Sequence, residues 1–160
     1  MNILGTGFVY RAEYTAPDGT LGWIEEVHNI IPQGGVDFIA GLLTANVSLV
    51  SPWYVGIFEN DYAPVDIITP IGETTAYEAA TRPTFAGVYD GASRIDNSAS
   101  RAEYVFTADK RVYGGFLVST QAKQDTTGVL LSIARFTSPR DVEVGGTLRV
   151  LAGIQLVPSL

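Results

Sequence analysis

The chain has 160 residues, which fits one domain large enough to bury a core without a metal or disulfide staple. Apolar residues make up 46% and charged residues 17%, so the composition excludes a disordered chain. Ten basic against 17 acidic residues give a net charge of −7, which argues against a nucleic-acid binder; the absence of Cys removes disulfides, thiolate metal sites and Cys nucleophiles.

The N-terminus, Met1-Asn2-Ile3-Leu4-Gly5, has no basic region, so no secretory signal is expected. Residues 8–14 alternate Phe8, Tyr10, Ala12 and Tyr14 against Val9, Arg11 and Glu13, which predicts a half-buried strand. A turn follows at Ala16-Pro17-Asp18-Gly19-Thr20. Residues 23–30 predict the second strand of a hairpin, with Ile24, Glu26, His28 and Ile30 opposite Trp23, Glu25, Val27 and Asn29. Pro32-Gln33-Gly34-Gly35 breaks it. Val36, Ile39, Ala40 and Leu43 then fall at i, i+3, i+4 and i+7, predicting one helix near 36–45, slightly weakened by Gly41. Residues 38–58 carry no charge, yet Thr44, Asn46, Ser48, Ser51 and Pro52 and a change of period favour helix-then-strand over a membrane span.

Residues 53–58 are aromatic and β-branched, a short strand. The stretch 59–83 is irregular, with turns at Asn60-Asp61 and Ala63-Pro64 and a single helical turn expected at 75–81; 88–100 reads as loop with a little strand. Four more strands are expected at 101–107, 111–119, 129–136 and 147–157. Gly114-Gly115 marks a bulge or a close backbone approach, Asp125-Thr126-Thr127-Gly128 a turn, and Pro139 and Gly145-Gly146 further breaks. Seven or eight short strands predict an all-β fold with one short helix, an antiparallel two-sheet, jelly-roll-like sandwich spanning 1–160 as a single domain.

Catalytic chemistry finds little footing. His28 is the lone imidazole, and no Gly-x-Ser-x-Gly elbow accompanies it. Glu25 and Glu26 are adjacent in a strand and so point to opposite faces. Glu59 and Asp61 are the remaining candidate acid–base pair. Asp90, Ser93, Asp96, Asn97 and Ser98 offer oxygen ligands without the spacing of a calcium loop. The Gly pairs lack the Lys-Ser/Thr of a phosphate loop. The expectation is therefore no enzyme, no cofactor and no metal. Eight of the ten basic residues are Arg, and with Trp23, Trp53 and eight Tyr this is the composition of a contact surface. The apolar ends, Ile3, Leu4 and Phe8 at one and Leu156, Val157 and Leu160 at the other, are expected to bury against neighbouring chains.

The order of segments carries a resemblance. Gly19-x-Leu21-x-Trp23 leads through Val27-His28-Asn29 to Gly34 and a short helix. Trp53-Tyr54-Val55-Gly56-Ile57-Phe58-Glu59-Asn60 and Tyr77-Glu78-Ala79-Ala80-Thr81-Arg82-Pro83 follow, then Tyr113-Gly114-Gly115-Phe116-Leu117 and Ala134-Arg135-Phe136. Over residues 8–156 this resembles the capsid cement (decoration) proteins of tailed bacteriophages; Gly35-Val36-Asp37 departs from the Gly-Leu-Asn helix entry of that pattern. The resemblance implies a jelly roll on the outer capsid surface of the virion, assembled in the host cytoplasm. Its implied partners are the major capsid protein and itself, as a homodimer or homotrimer, with no nucleic acid or membrane. A tail or head-fibre component and a carbohydrate-binding β-sandwich or glycosidase are the alternatives.

Overall fold

The computed structural model describes residues 7–61 and 72–155. The termini Ile3, Leu4, Leu156, Val157 and Leu160 and the turn expected at Ala63-Pro64 lie outside the described residues. Strands β1 (Gly7–Thr15) and β2 (Leu21–His28) form the expected hairpin, closed by the turn in which Thr20 N–H donates to Asp18 Oδ1 at 2.9 Å. Helix α1 (Gln33–Leu43) follows, then β3 (Trp53–Phe58), β4 (Thr84–Phe85), β5 (Val88–Tyr89), β6 (Arg94–Asp96), β7 (Ala102–Val105), β8 (Lys110–Val118), β9 (Leu130–Val142) and β10 (Thr147–Gln155). The strands make two antiparallel sheets. One runs β2-β1-β10-β6-β5, with β7 also paired to β10; the other runs β4-β3-β8-β9. The all-β, two-sheet architecture is the one that the alternating segments predict.

The alternation in β1 becomes layer geometry. Phe8, Tyr10, Ala12 and Tyr14 point inward and are at most 4% exposed. They meet Leu148, Val150 and Ala152 of β10 beside them and Val55, Ile57 and Leu117 of the facing sheet. Phe8 is thus a core residue at 1% exposure, and its expected place at an interface with a neighbouring chain is corrected: the strand period that makes β1 half-buried turns Phe8 inward. Two buried phenols tie the sheets together. Tyr10 Oη bonds Ser132 Oγ, and Tyr104 Oη donates to Val55 O at 2.8 Å. Burial pushes both phenols far above their ordinary range, so neither ionises near neutrality. At one corner the sheets meet directly: Ile30 and Ile133 exchange backbone hydrogen bonds, and Trp23 Nε1 donates to Asp141 O at 3.0 Å.

Strand β3 reads as a continuous apolar run because both its faces are buried. Val55 and Ile57 belong to the main core; Tyr54 and Phe58 join Phe116, Val118, Leu130 and Ile133 in a second cluster. Gly56 lies beneath the Phe116 ring, where an added Cβ would stand 2.0 Å from Phe116 Cζ.

Three local expectations change. Residues 75–81 form no helical turn; Tyr77 is bridged to Phe106 and residues 78–81 bend. Pro139 does not end β9, because the β8–β9 register shifts between Val112 and Gly114, so residues 136–139 bulge past a single partner. A proline at such a bulge removes no ladder hydrogen bond. The helix begins three residues before Val36, and its stripe is turned around. Its buried residues are Gly35, Phe38 and Gly41, whereas Val36, Ile39, Leu42 and Leu43 are exposed. The glycines that weaken the helix are its packing face: a Cβ on Gly35 would stand 2.6 Å from Leu131 O, and one on Gly41 2.7 Å from Val47 Cγ1. Only Phe38 enters the core, edge-on to Trp53 at 5.3 Å.

Ala45, just past the C-cap Thr44 of helix α1, has a φ of 56° in the left-handed region. Such a conformation costs a non-glycine residue about 1–2 kcal/mol. Ala45→Gly is therefore expected to stabilise the fold by about 1 kcal/mol, read as a raised urea midpoint at unchanged slope.

Candidate interaction surface

The residues singled out for chemistry are occupied in structural work. Glu25 points into the sandwich, 7% exposed, where Arg140 Nε donates to its Oε1 at 2.7 Å. Glu26 points the other way, toward Arg11 at 3.5 Å. Glu59 is paired with Lys110 at 3.1 Å and Asp61 with Arg135, so each carboxylate of the candidate acid–base pair has its own cation. Asp90 Oδ1 accepts the N–H groups of Ala92, Ser93 and Arg94, and these hold its carboxyl below the usual aspartate range. Asp96 accepts Ser98 N–H and pairs with Arg94. Asn97 is fully buried: its Oδ1 accepts Ala152 N–H and its amide donates to Val150 O. These oxygens serve turns and strand ends, and among the described residues no group of three or more His, Asp or Glu is placed to hold a metal ion. His28 stands exposed on the outer face of the β2-β1-β10 sheet.

A cleft of about 570 Å³ lies among Glu59, Asp109, Lys110, Arg111, Asp141 and Glu143. Its charges are largely paired within it. Arg111 donates to both oxygens of Asp141, at 2.7 and 2.9 Å, and this fork holds the Asp141 carboxyl below its ordinary value. Among the described residues no aromatic side chain lines the cleft. Trp23 and Trp53 pack against the core, and Tyr89 is the one exposed aromatic among the described residues.

Arg82, from the Tyr77–Pro83 block, enters a buried ion pair. Arg82 and Glu73, with side chains 3% and 5% exposed, form a two-pronged bridge: Nε to Oε1 at 2.9 Å and Nη2 to Oε2 at 2.8 Å. The rest of the guanidinium serves Thr120 O, Thr120 Oγ1 and Asp125 O, and it lies over the Phe116 ring. Arg82 thereby fastens the irregular 72–83 segment to the 119–128 loop. Composition alone gives no sign of this, because an Arg in sequence carries no mark of burial.

The feature with the character of a contact site is the outward face of α1. Val36, Ile39 and Leu43 are 45%, 38% and 85% exposed and fall on one stripe, with Leu42 beside them. From Asn29 to Phe58 the chain contains one charged residue, Asp37. Exposed apolar side chains occur singly on any protein surface, but a contiguous set without charges marks a surface that meets another molecule. The sequence signal for it was the uncharged run 38–58. The run is explained by a buried strand plus an uncovered helix, and no helix among the described residues is long and apolar enough to cross a membrane. No family model, curated protein or solved structure matches the chain.

Proposed function

We propose that the chain is a virion structural protein of a tailed bacteriophage: a jelly-roll-like cement protein that binds the outer capsid and stabilises contacts between major capsid subunits, without catalysis. The observation that supports this reading best is the uncharged apolar face of α1, held rigidly on a two-sheet sandwich. A helix anchored by two glycines and one phenylalanine leaves its larger apolar side chains for a partner. Ion-paired carboxylates and buried, un-ionised phenols suit a protein that binds rather than reacts. The sequence resemblance supplies the capsid as the partner.

The test is Ile39→Glu combined with Leu43→Glu. The two side chains lie on the outward face of α1, 38% and 85% exposed, so the melting temperature should stay within about 2 °C of the parent, as for other exposed substitutions. Each buried Leu or Ile contributes about 1.5–3 kcal/mol to an interface core, so occupancy on purified capsids should fall more than tenfold. Undiminished occupancy would remove the α1 face from the reading. An intact chain found at a few copies per virion would move the protein to the tail or head fibre, and one that never co-purifies with capsids would end the assignment.

A further inference from the structure

A second surface lies on the outer face of the larger sheet, away from α1. The strand registers set its plan: His28, Val9, Gly153 and Asp96 stand directly opposite one another across β2, β1, β10 and β6, and Glu26, Arg11 and Leu151 form the next row. A recess of about 250 Å³ opens over these rows. Its floor is Val9, Leu151 and Gly153. Leu151 points outward from the sandwich, opposite in parity to Val150 and Ala152, yet it is only 5% exposed, because the side chains around it rise above the sheet. Gly153 keeps the floor open. A Cβ there would stand 3.5 Å from Arg94 Nε and 3.2 Å from Asp96 Cβ, filling the recess from below.

The walls are less acidic than the protein as a whole. Acids outnumber bases 17 to ten along the chain, but around the recess two arginines, Arg11 and Arg94, stand beside two carboxylates, Glu26 and Asp96. Neither guanidinium is used up. Arg11 has a single 3.5 Å ion pair to Glu26, and Arg94 commits its Nε to Asp96 at 2.6 Å, while its Nη2 lies 3.7 Å from the Cβ position over Gly153. Arginine forks next to an apolar floor match a planar anion carried on a short apolar stem. The volume holds a group the size of one residue and falls below the roughly 300 Å³ at which drug-sized ligand pockets begin. Among the described residues no aromatic lines it to offer a stacked sugar or base a platform.

We propose that this recess is a carboxylate-binding site, in which Arg11 and Arg94 grip the anion and Val9, Leu151 and Gly153 receive the apolar stem that carries it. A free aliphatic acid and an acidic side chain of a partner polypeptide share this chemistry, and the two are separated by experiment.

The full-length protein is titrated with hexanoate, with a blocked Leu-Glu-Leu peptide and with hexanamide, following the His28 ring and the Val9 and Leu151 methyl resonances. Saturable shifts with a carboxylate probe and none with hexanamide are expected. Arg11→Gln and Arg94→Gln should each weaken binding at least tenfold, and Gly153→Ala, which retains both arginines and fills the floor, should weaken it as well. Both arginines are about 40% exposed or more, so these variants should melt with the parent. Binding of the peptide alone identifies a polypeptide partner, and binding of hexanoate alone identifies a free acid. No shift with either up to 10 mM, equal binding of hexanamide, or full binding by the double arginine variant overturns the proposal.

Discussion

Arg82→Ala is expected to be among the most destabilising single substitutions in the chain, by about 3–5 kcal/mol, the range for removing one partner of a buried ion pair. The cause is what remains behind. Glu73, 5% exposed, would lose its cation and keep Gln124 N–H as its remaining described partner, and the carbonyls of Thr120 and Asp125 would lose their donor. For a domain of this length the loss corresponds to a fall in melting temperature on the order of 10 °C. Arg82→Lys retains the charge but replaces a planar fork by three donors on one nitrogen, so it recovers only part of the stability. Glu73→Leu combined with Arg82→Met removes both charges and should be less damaging than Arg82→Ala alone, because no uncompensated charge is left buried. Urea unfolding of the four proteins decides the matter. An Arg82→Ala chain within about 1 kcal/mol of the parent would show that the pair is not the staple its burial indicates.

The same residue marks what the sequence could and could not convey. Period is legible wherever one face of an element is buried and the other is wet. The β1 alternation gives the inward set Phe8, Tyr10, Ala12 and Tyr14 without error, and the β10 alternation gives Leu148, Val150 and Ala152. Period misleads where the packing face is made of small residues. In α1 the apolar stripe Val36, Ile39, Leu43 looks like a core face, but the close approach of Gly35 to the Leu131 carbonyl sets the orientation of the helix, and the stripe ends in solvent. Hydropathy ranks glycine as weak evidence; geometry makes it decisive here. The candidate contact surface was therefore visible as an uncharged run and invisible as a surface. The ends of the chain drew attention for their apolar residues, yet Phe8 belongs to the core. Long-range partners such as Glu25 with Arg140, 115 residues apart, leave no local trace at all.

Gly114→Ala should produce the other large effect, through overpacking. Gly114 sits where β8 changes register against β9, opposite Arg135 and next to Phe58 of β3. An added Cβ would fall 2.0 Å from Ala134 O and 2.6 Å from Phe58 Cζ. A flexible side chain can yield to such an intrusion; here one obstacle is the backbone of the neighbouring strand and the other is a ring with no exposure, inside the second core cluster. Relief requires β8 and β9 to move apart, which lengthens ladder hydrogen bonds and disturbs Ile133 and Phe116 on the same face. Overpacking a well-filled core costs typically 1–3 kcal/mol and occasionally more, and the rigidity of both obstacles places this substitution at about 3 kcal/mol or above. Gly56→Ala is the control. Its nearest obstacle, Phe116 Cζ, is equally close but belongs to a side chain and not to the backbone of a neighbouring strand, so its cost should be smaller. Paired denaturant curves, with amide exchange across β8 and β9, test the ordering. Should Gly56→Ala prove the more damaging of the two, the Phe116 ring under Arg82, and not the β8–β9 approach, is the rigid element of this half of the sandwich.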